Sequence, residues 1–312
     1  MAEKRRKRWL RIACAGLMLA LLSAGGAAGE ESAKAVYVEN QWNFVDGSMD
    51  VTGGIPENAE GALLDIKTRG VLRVATEPYF PPQEFIDPSL SGQEQYVGAD
   101  MELARLIALR MGVTLEIVPM SFTEVLTAVE EGRCDLAISA LSFIPSRADR
   151  VEMSKGYFYE ETLAGSGMVI RTEDRDRIFR TADLKGRDIV AQQGSLQESM
   201  TAENVTNYRQ FRRVESVQDV YLAVQEGRAD AGTVELETAV QYIRNNPDCG
   251  LTLARGIHFV MDENHKGDRI AGKKGELQLM YFVNGVIDEV LQNDQYMQWY
   301  EAGEEYAGRL GL

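Results

Sequence analysis

Two stretches of the chain repeat each other without a gap. Ser121-Phe-Thr-Glu-Val-Leu-Thr-Ala-Val-Glu-Glu-Gly-Arg-Cys-Asp135 aligns on Ser216-Val-Gln-Asp-Val-Tyr-Leu-Ala-Val-Gln-Glu-Gly-Arg-Ala-Asp230. The first copy places Phe122, Val125, Leu126 and Val129 at i, i+3, i+4 and i+7, the stripe of an amphipathic helix. Ser121 and Glu124 form a capping box at its start and Gly132 ends it. A β-rich run, residues 136–139, follows. A weaker echo joins Asp65-Ile-Lys-Thr-Arg69 to Asp183-Leu-Lys-Gly-Arg187, each ahead of another β-rich run and in the same order. A chain with this repetition is constrained to two similar units.

The surrounding pattern gives the units their class. Residues 71–75 and 115–118 read as strands, and residues 100–111 as a helix with Met101, Ala104, Ala108 and Met111 on one face. Strands alternating with amphipathic helices from Gly61 onward predict an α/β fold with mainly parallel sheets. Ligands in such folds sit beyond the carboxyl ends of the strands. The residues there are Ser139-Ala140-Leu141-Ser142 in the first unit and Val234-Glu235 in the second.

Composition narrows the function. Of 312 residues, 33 are Lys or Arg and 48 Asp or Glu, a net charge of −15 that repels nucleic acid. The 45% apolar content excludes a disordered chain, and three Cys exclude a disulfide scaffold. The first residues are basic (Lys4, Arg5, Arg6, Lys7, Arg8, Arg11), residues 12–22 apolar, and residues 23–29 small. That order predicts a signal peptide over residues 1–28 and an extracytoplasmic mature protein. The apolar run is short for a membrane ~30 Å thick. Cys14 lacks the preceding leucine-like residue of a lipidation site, since Arg11 stands there. Cys134 and Cys249 fall in different units and are expected as free thiols. Residues 29–60 read as a polar extension that drapes over the body, with Tyr37, Trp42 and Phe44 as anchors.

The strand-end residues suggest a site for a zwitterion. Arg147 has the two-pronged guanidinium that takes a carboxylate, and Ser142 adds an N–H and a hydroxyl. Glu235 matches it from the other unit as an acceptor for an ammonium. Phe80 and Phe122 are positioned to sandwich a side chain, and Glu77 to read its far end. Each type also has a plainer use: a surface arginine, a turn serine, a solvated glutamate, a core phenylalanine. No metal-ligand spacing, nucleophile elbow or phosphate-cradling loop is present, and the two histidines, His258 and His265, share one polar stretch. No cofactor and no metal are expected.

From about Lys67 to its end the chain resembles the solute-binding proteins of polar amino-acid ABC importers, bacterial solute-binding protein family 3. The resembling segments are Gly70-Val-Leu-Arg-Val-Ala-Thr, Phe80-Pro-Pro-Gln-Glu-Phe, Val97-Gly-Ala-Asp-Met-Glu-Leu, Cys134-Asp-Leu-Ala-Ile-Ser-Ala-Leu-Ser-Phe-Ile-Pro-Ser-Arg147, Asp183-Leu-Lys-Gly-Arg, Gln193-Gly-Ser-Leu-Gln-Glu198, Glu226-Gly-Arg-Ala-Asp230 and Ile270-Ala-Gly-Lys-Lys-Gly-Glu. The resemblance implies a type II periplasmic-binding fold: two Rossmann-like lobes joined by a two-strand hinge, lobe 1 being 61–166 plus 269–312 and lobe 2 being 167–268. It implies a monomer that captures an amino acid and delivers it to ABC permease subunits. Arg147 and Ser142 fall on the α-carboxylate positions, Ala140 on a backbone contact to the amine, and Glu235 on the acid that holds the ammonium. Phe80 and Phe122 fall on the aromatic walls, and Ser195 in the lobe 2 loop that closes over the carboxylate. The sequence departs from the family where Glu235 and Glu77 replace Asp, where Leu196 replaces a small polar residue, and where residues 258–267 and the segment before Gly61 run long. The alternative is a relative of the cyclohexadienyl dehydratases on the same scaffold, with Glu198 as general acid.

Overall fold

The computed structural model describes residues 44–159, 165–260 and 266–312. The signal-peptide segment, Cys14, the anchors Tyr37 and Trp42, and His265 lie outside the described residues.

In chain order the first part runs α1 (Gly61–Arg69), β1 (Val71–Thr76), β2 (Tyr79–Phe80), β3 (Glu84–Ile86), β4 (Tyr96–Val97), α2 (Ala99–Met111) and β5 (Thr114–Pro119). It continues with α3 (Phe122–Glu130), β6 (Leu136–Ser142), α4 (Pro145–Ala148) and β7 (Val151–Phe158). The middle part holds β8 (Ser166–Arg171), β9 (Asp188–Gln192), α5 (Leu196–Asn204), β10 (Gln210–Val214), α6 (Val217–Gln225), β11 (Ala231–Glu235), α7 (Leu236–Asn245) and β12 (Leu251–Phe259). The chain ends with β13 (Asp268–Lys273), α8 (Leu277–Gln292) and α9 (Gln295–Leu310).

The duplication extends to the topology. One sheet has the order β5-β1-β6-β13-β7, the other β10-β9-β11-β8-β12, and the places correspond one to one. In each, the first three strands are parallel and the fourth runs antiparallel to both neighbours. That fourth strand, β13 or β8, enters from the other sheet, so the chain crosses between the sheets after β7 and again after β12. A small antiparallel meander, β2-β3-β4, carries Phe80 and Glu84 beside the first sheet.

The repeated residues do the same work twice. Gly132 and Gly227 stop α3 and α6 at φ 74° and 72°, a left-handed conformation that suits a residue without Cβ. Asp135 accepts the N–H of Arg73 at 2.8 Å and pairs with Arg69. Asp230 accepts the N–H of Asp188 at 2.9 Å and pairs with Arg187. The aspartate of the strong echo thus holds the arginine of the weak one in each lobe. The capping boxes differ. Ser216 and Asp219 form a full reciprocal box. Ser121 does not: its hydroxyl donates to the Glu124 carboxylate at 3.1 Å, as Ser216 does to Asp219, but accepts no backbone N–H. The Glu124 N–H goes to the Ser121 C=O at 2.9 Å, whereas the Asp219 N–H goes to the Ser216 hydroxyl.

Alternate strand residues face opposite ways, and both faces of each sheet are covered. Leu72, Val74, Leu136 and Ile138 pack with α1, α2, α8 and α9, whereas Ala75, Ala137 and Met153 pack with α3. In the other sheet Met168, Ile170 and Ile189 face α5, and Val169 and Val190 face α6 and α7.

The segment before α1 is bound to the first lobe. The Val45 N–H donates to the Met153 C=O, and Val51, Ile55 and Ala59 are buried in the main core. Phe44 meets Phe143 edge-on at 6.2 Å and lies 4.2 Å under the Arg269 guanidinium.

Candidate functional site

The helix α4 opens with Pro145 at its first turn and turns Arg147 back into the molecule, 7% exposed. Its Nη1 donates to the Ser142 C=O at 2.9 Å, and its Nη2 crosses to the Gly194 C=O of the other lobe at 3.0 Å. Phe122, the first residue of the repeated helix, sets its ring 5.4 Å from the guanidinium carbon. Among the described residues no carboxylate forms an ion pair with Arg147. Burial pushes it down to about 10, against the opposing pull of the Asp268 charge. A buried guanidinium hydrogen-bonded only to carbonyls has no ion-pair partner among the described residues, so an anion that reached it would be held strongly.

Ala140 lies on β6 with φ 45°, a left-handed conformation that costs a non-glycine residue about 1–3 kcal/mol. Its N–H donates to Asp100 Oδ2 at 3.0 Å. Asp100, fully buried at the start of α2, also accepts the hydroxyls of Tyr157 (2.9 Å) and Tyr296 (2.6 Å). Beside it Glu84 is pushed well above the carboxylate range, first by burial and then by the charges of Asp100 and Glu77. Burial and the neighbouring charges thus favour the protonated form of Glu84, whose Oε2 has no hydrogen-bond partner among the described residues. The Ser139 hydroxyl donates to Glu84 at 2.9 Å and accepts the Glu77 N–H at 3.0 Å.

Glu77 follows β1 at its carboxyl end and is buried. Desolvation raises it to about 8, against hydrogen bonds from the Gln192 side chain of the second lobe and the Tyr79 backbone. Its Oε1 has no partner. Asp268 opens the crossing strand β13. It accepts from Gln83 Nε2 at 2.8 Å and is raised, first by burial and then by the charge of Glu235. Glu235 ends β11 and accepts the Thr238 hydroxyl at 2.6 Å. Glu77, Glu84, Asp100, Asp268 and Glu235 thus form a run of electrostatically coupled acids, one of which, Asp268, acts on Arg147.

Ser142 is half-buried, and its carbonyl is the one Arg147 takes. Phe80 packs against the second lobe's apolar cluster that contains Val217 and Tyr221. Ser195 spends its hydroxyl on capping α5, donating to the Gln192 C=O at 2.7 Å and accepting the Glu198 N–H at 3.1 Å. Glu198 has both oxygens occupied within its own lobe, by the Gly194 N–H at 2.7 Å and Arg213 Nε at 2.8 Å. It braces the loop that presents the Gly194 carbonyl. Cys134 and Cys249 are free thiols, one in each lobe's core. His258 is an exposed residue bonded to the Arg255 C=O, and no metal-holding cluster occurs among the described residues.

Sequence reasoning missed Gln192, Asp268 and the Glu84–Asp100 pair. Glu84 and Asp100 sit inside segments that carry the family resemblance, but nothing local marks an acid as buried. Asp268 precedes the return strand, and only the crossing of the chain brings it to the cleft.

Comparison with known proteins bears on the family and the fold. A "Probable histidine-binding protein" of Campylobacter jejuni is 26% identical over 211 residues, 66% of this chain and 78% of that protein. The arginine-bound crystal structure of the amino acid ABC transporter substrate-binding protein AbpA of Streptococcus pneumoniae superposes with a TM-score of 0.69 at 28% identity, covering 78% of this chain and 98% of that one. The ancestral amino acid-binding protein AncCDT-1, a precursor of cyclohexadienyl dehydratase, gives 0.66 at 25% identity, covering 78% and 99%. Residues 72–302 match the family described as bacterial extracellular solute-binding proteins, family 3; with its paired sheets and doubly crossing chain, this protein belongs to that family and has the type II periplasmic-binding fold.

Proposed function

We propose that the protein captures a cationic amino acid, of the class of L-arginine, between lobe 1 (61–166 plus 269–312) and lobe 2 (167–268), and delivers it to ABC permease subunits. The observation that carries this reading is the charge balance of the cleft. One buried guanidinium, Arg147, has no carboxylate partner among the described residues and suits an α-carboxylate. The coupled acids near it are pushed toward the neutral form by burial, and more of them are available to ionise against a cation than a single α-ammonium requires. A second positive charge, on the ligand side chain, uses that excess. The arginine-bound relative and the histidine-binding one support the same class. In this reading Glu235 and the Ala140 backbone take the α-ammonium, Phe80 and Phe122 wall the side chain, and Glu77 meets its cationic end. Ser142, and Ser195 through its loop, complete the carboxylate site.

The reading is of a monomeric binder, exported by residues 1–28, and not of an enzyme. Glu198, the acid that a dehydratase would need free, is committed to Gly194 and Arg213.

A thermal-shift screen followed by calorimetry tests it. L-Arginine, L-lysine or L-histidine is expected to raise the melting temperature as the site saturates, and L-glutamate is not. Preference for an acidic amino acid, or release of phenylalanine from arogenate, would overturn the reading.

A further inference from the structure

Ala140 holds a strained backbone at the one point of β6 where the proposed ligand's ammonium is met, and something must keep it there. The groups behind it are all on the first lobe. Asp100 Oδ2 takes the Ala140 N–H at 3.0 Å. The same carboxylate is fixed by Tyr157 from β7 and by Tyr296 from α9. Three donors converge on one fully buried carboxylate, more than the two lone pairs of a single amide oxygen accept. The β6–β13 ladder is irregular here: it pairs Leu141 and Ala137 and skips Ala140.

We propose that Asp100 is a positioning residue of the binding site: it anchors the Ala140 N–H, holds the left-handed turn, and so directs the Ala140 carbonyl into the cleft. The inference rests on the reading of the cleft as an amino-acid site. It adds that affinity is set partly by a carboxylate that never touches the ligand. An asparagine in its place has half the acceptor capacity and brings two donors of its own, so the convergence of three donors cannot be satisfied. Ala140 would then relax to negative φ and turn its carbonyl away. Glycine adopts positive φ without strain and needs no anchor.

The experiment compares wild type, Asp100→Asn, Ala140→Gly and the double variant as full chains. Affinity for L-arginine is measured by calorimetry, and exchange of the Ala140 amide by NMR without ligand. Asp100→Asn is expected to weaken binding by about tenfold or more and to speed Ala140 exchange by a similar factor. Ala140→Gly alone is expected to lower affinity less than Asp100→Asn does, and on the Asp100→Asn background it restores most of the lost affinity. A merely structural Asp100 would lower the melting temperature with no rescue by glycine. Wild-type affinity in Asp100→Asn, or a double variant no better than the single, would overturn the proposal. If L-arginine does not bind wild type, the function reading fails, while the exchange comparison still decides the anchoring. If Asp100→Asn does not fold, the wild-type amide decides: protection supports the anchor, and exchange at the solvent rate ends it.

Discussion

Arg147 of the first lobe donates to the Gly194 carbonyl of the second, 3.0 Å away, while its other Nη grips Ser142 on its own strand. The two carbonyls fix the fork but supply no ion-pair partner. In the proposed reading the same side chain takes the anion and joins the lobes, so that ligand capture and closure share it.

Removing that charge should separate function from stability. Arg147→Met keeps the apolar stem and deletes a buried cation that has no ion-pair partner among the described residues, so its melting temperature is expected to be no lower than wild type. Its affinity for the amino acid is expected to fall at least about a hundredfold, because a bound carboxylate would have no counter-charge. Calorimetry showing undiminished affinity would remove Arg147 from the site.

Glu77 makes binding depend on pH near neutrality. Its carboxyl titrates at about 8 in the folded protein, against an ordinary 4.5. The folded state therefore holds a proton that the unfolded state has lost between pH 4.5 and 8. Its contribution to stability is fully present below 4.5 and is lost as pH rises through 8. A cationic side chain needs the ionised form, so its binding below pH 8 releases a proton. Affinity for L-arginine is expected to rise with pH, by up to about tenfold per unit below 8, and then to level off. Glu77→Gln should flatten that slope. A slope that survives the substitution would assign the titration to another acid.

What could be read from the sequence was local or repeated. The Glu-Gly-Arg-x-Asp exits announced two lobes because their residues serve the backbone directly: the glycine makes a left-handed stop, and the aspartate grips the next strand. Arg147, Ser142 and Phe122 were legible as a group because one short segment and one helix start carry them. Asp268 and Gln192 were not, since each reaches the cleft only through long-range topology, the first by the return crossing and the second from the facing sheet. The Ser121 box failed for a subtler reason. Glu satisfies the capping pattern as well as Asp does, but the Glu124 N–H turns to the Ser121 carbonyl rather than to its hydroxyl, a backbone choice that the pattern does not encode.

The duplicated ion pairs should be energetically parallel. Asp135 serves Arg69 and the Arg73 N–H as Asp230 serves Arg187 and the Asp188 N–H. Asp135→Ala and Asp230→Ala are each expected to cost about 1–2 kcal/mol, mostly from the lost bond to the backbone rather than from the partly exposed ion pair. The lobes are held by separate cores, so the two losses should add in urea denaturation. Strong coupling between them would mean that the two sheets unfold as one interdependent network at these strand starts.

The segment before α1 should prove part of the folded lobe, although it lies outside the family match of residues 72–302. Asn284, fully buried on α8, donates from Nδ2 to the Val45 and Gly47 carbonyls, both at 2.8 Å, and accepts the Lys155 N–H at 2.9 Å. The next residue is Gly285, where a Cβ would come within 2.2 Å of the Met49 carbonyl oxygen. Asn284→Ala leaves those backbone groups without their partner and is expected to cost about 2–3 kcal/mol. Gly285→Ala acts differently: it keeps every hydrogen bond donor but forces the strap away from α8, so Val51 loses its packing and protease reaches residues 44–59. Both variants should melt below wild type, with Gly285→Ala alone showing early cleavage in that segment while β13 and the cleft remain folded. If neither variant lowers the melting temperature, the strap rests on the lobe without stabilising it, and its buried Val51, Ile55 and Ala59 contribute nothing that the core cannot do without.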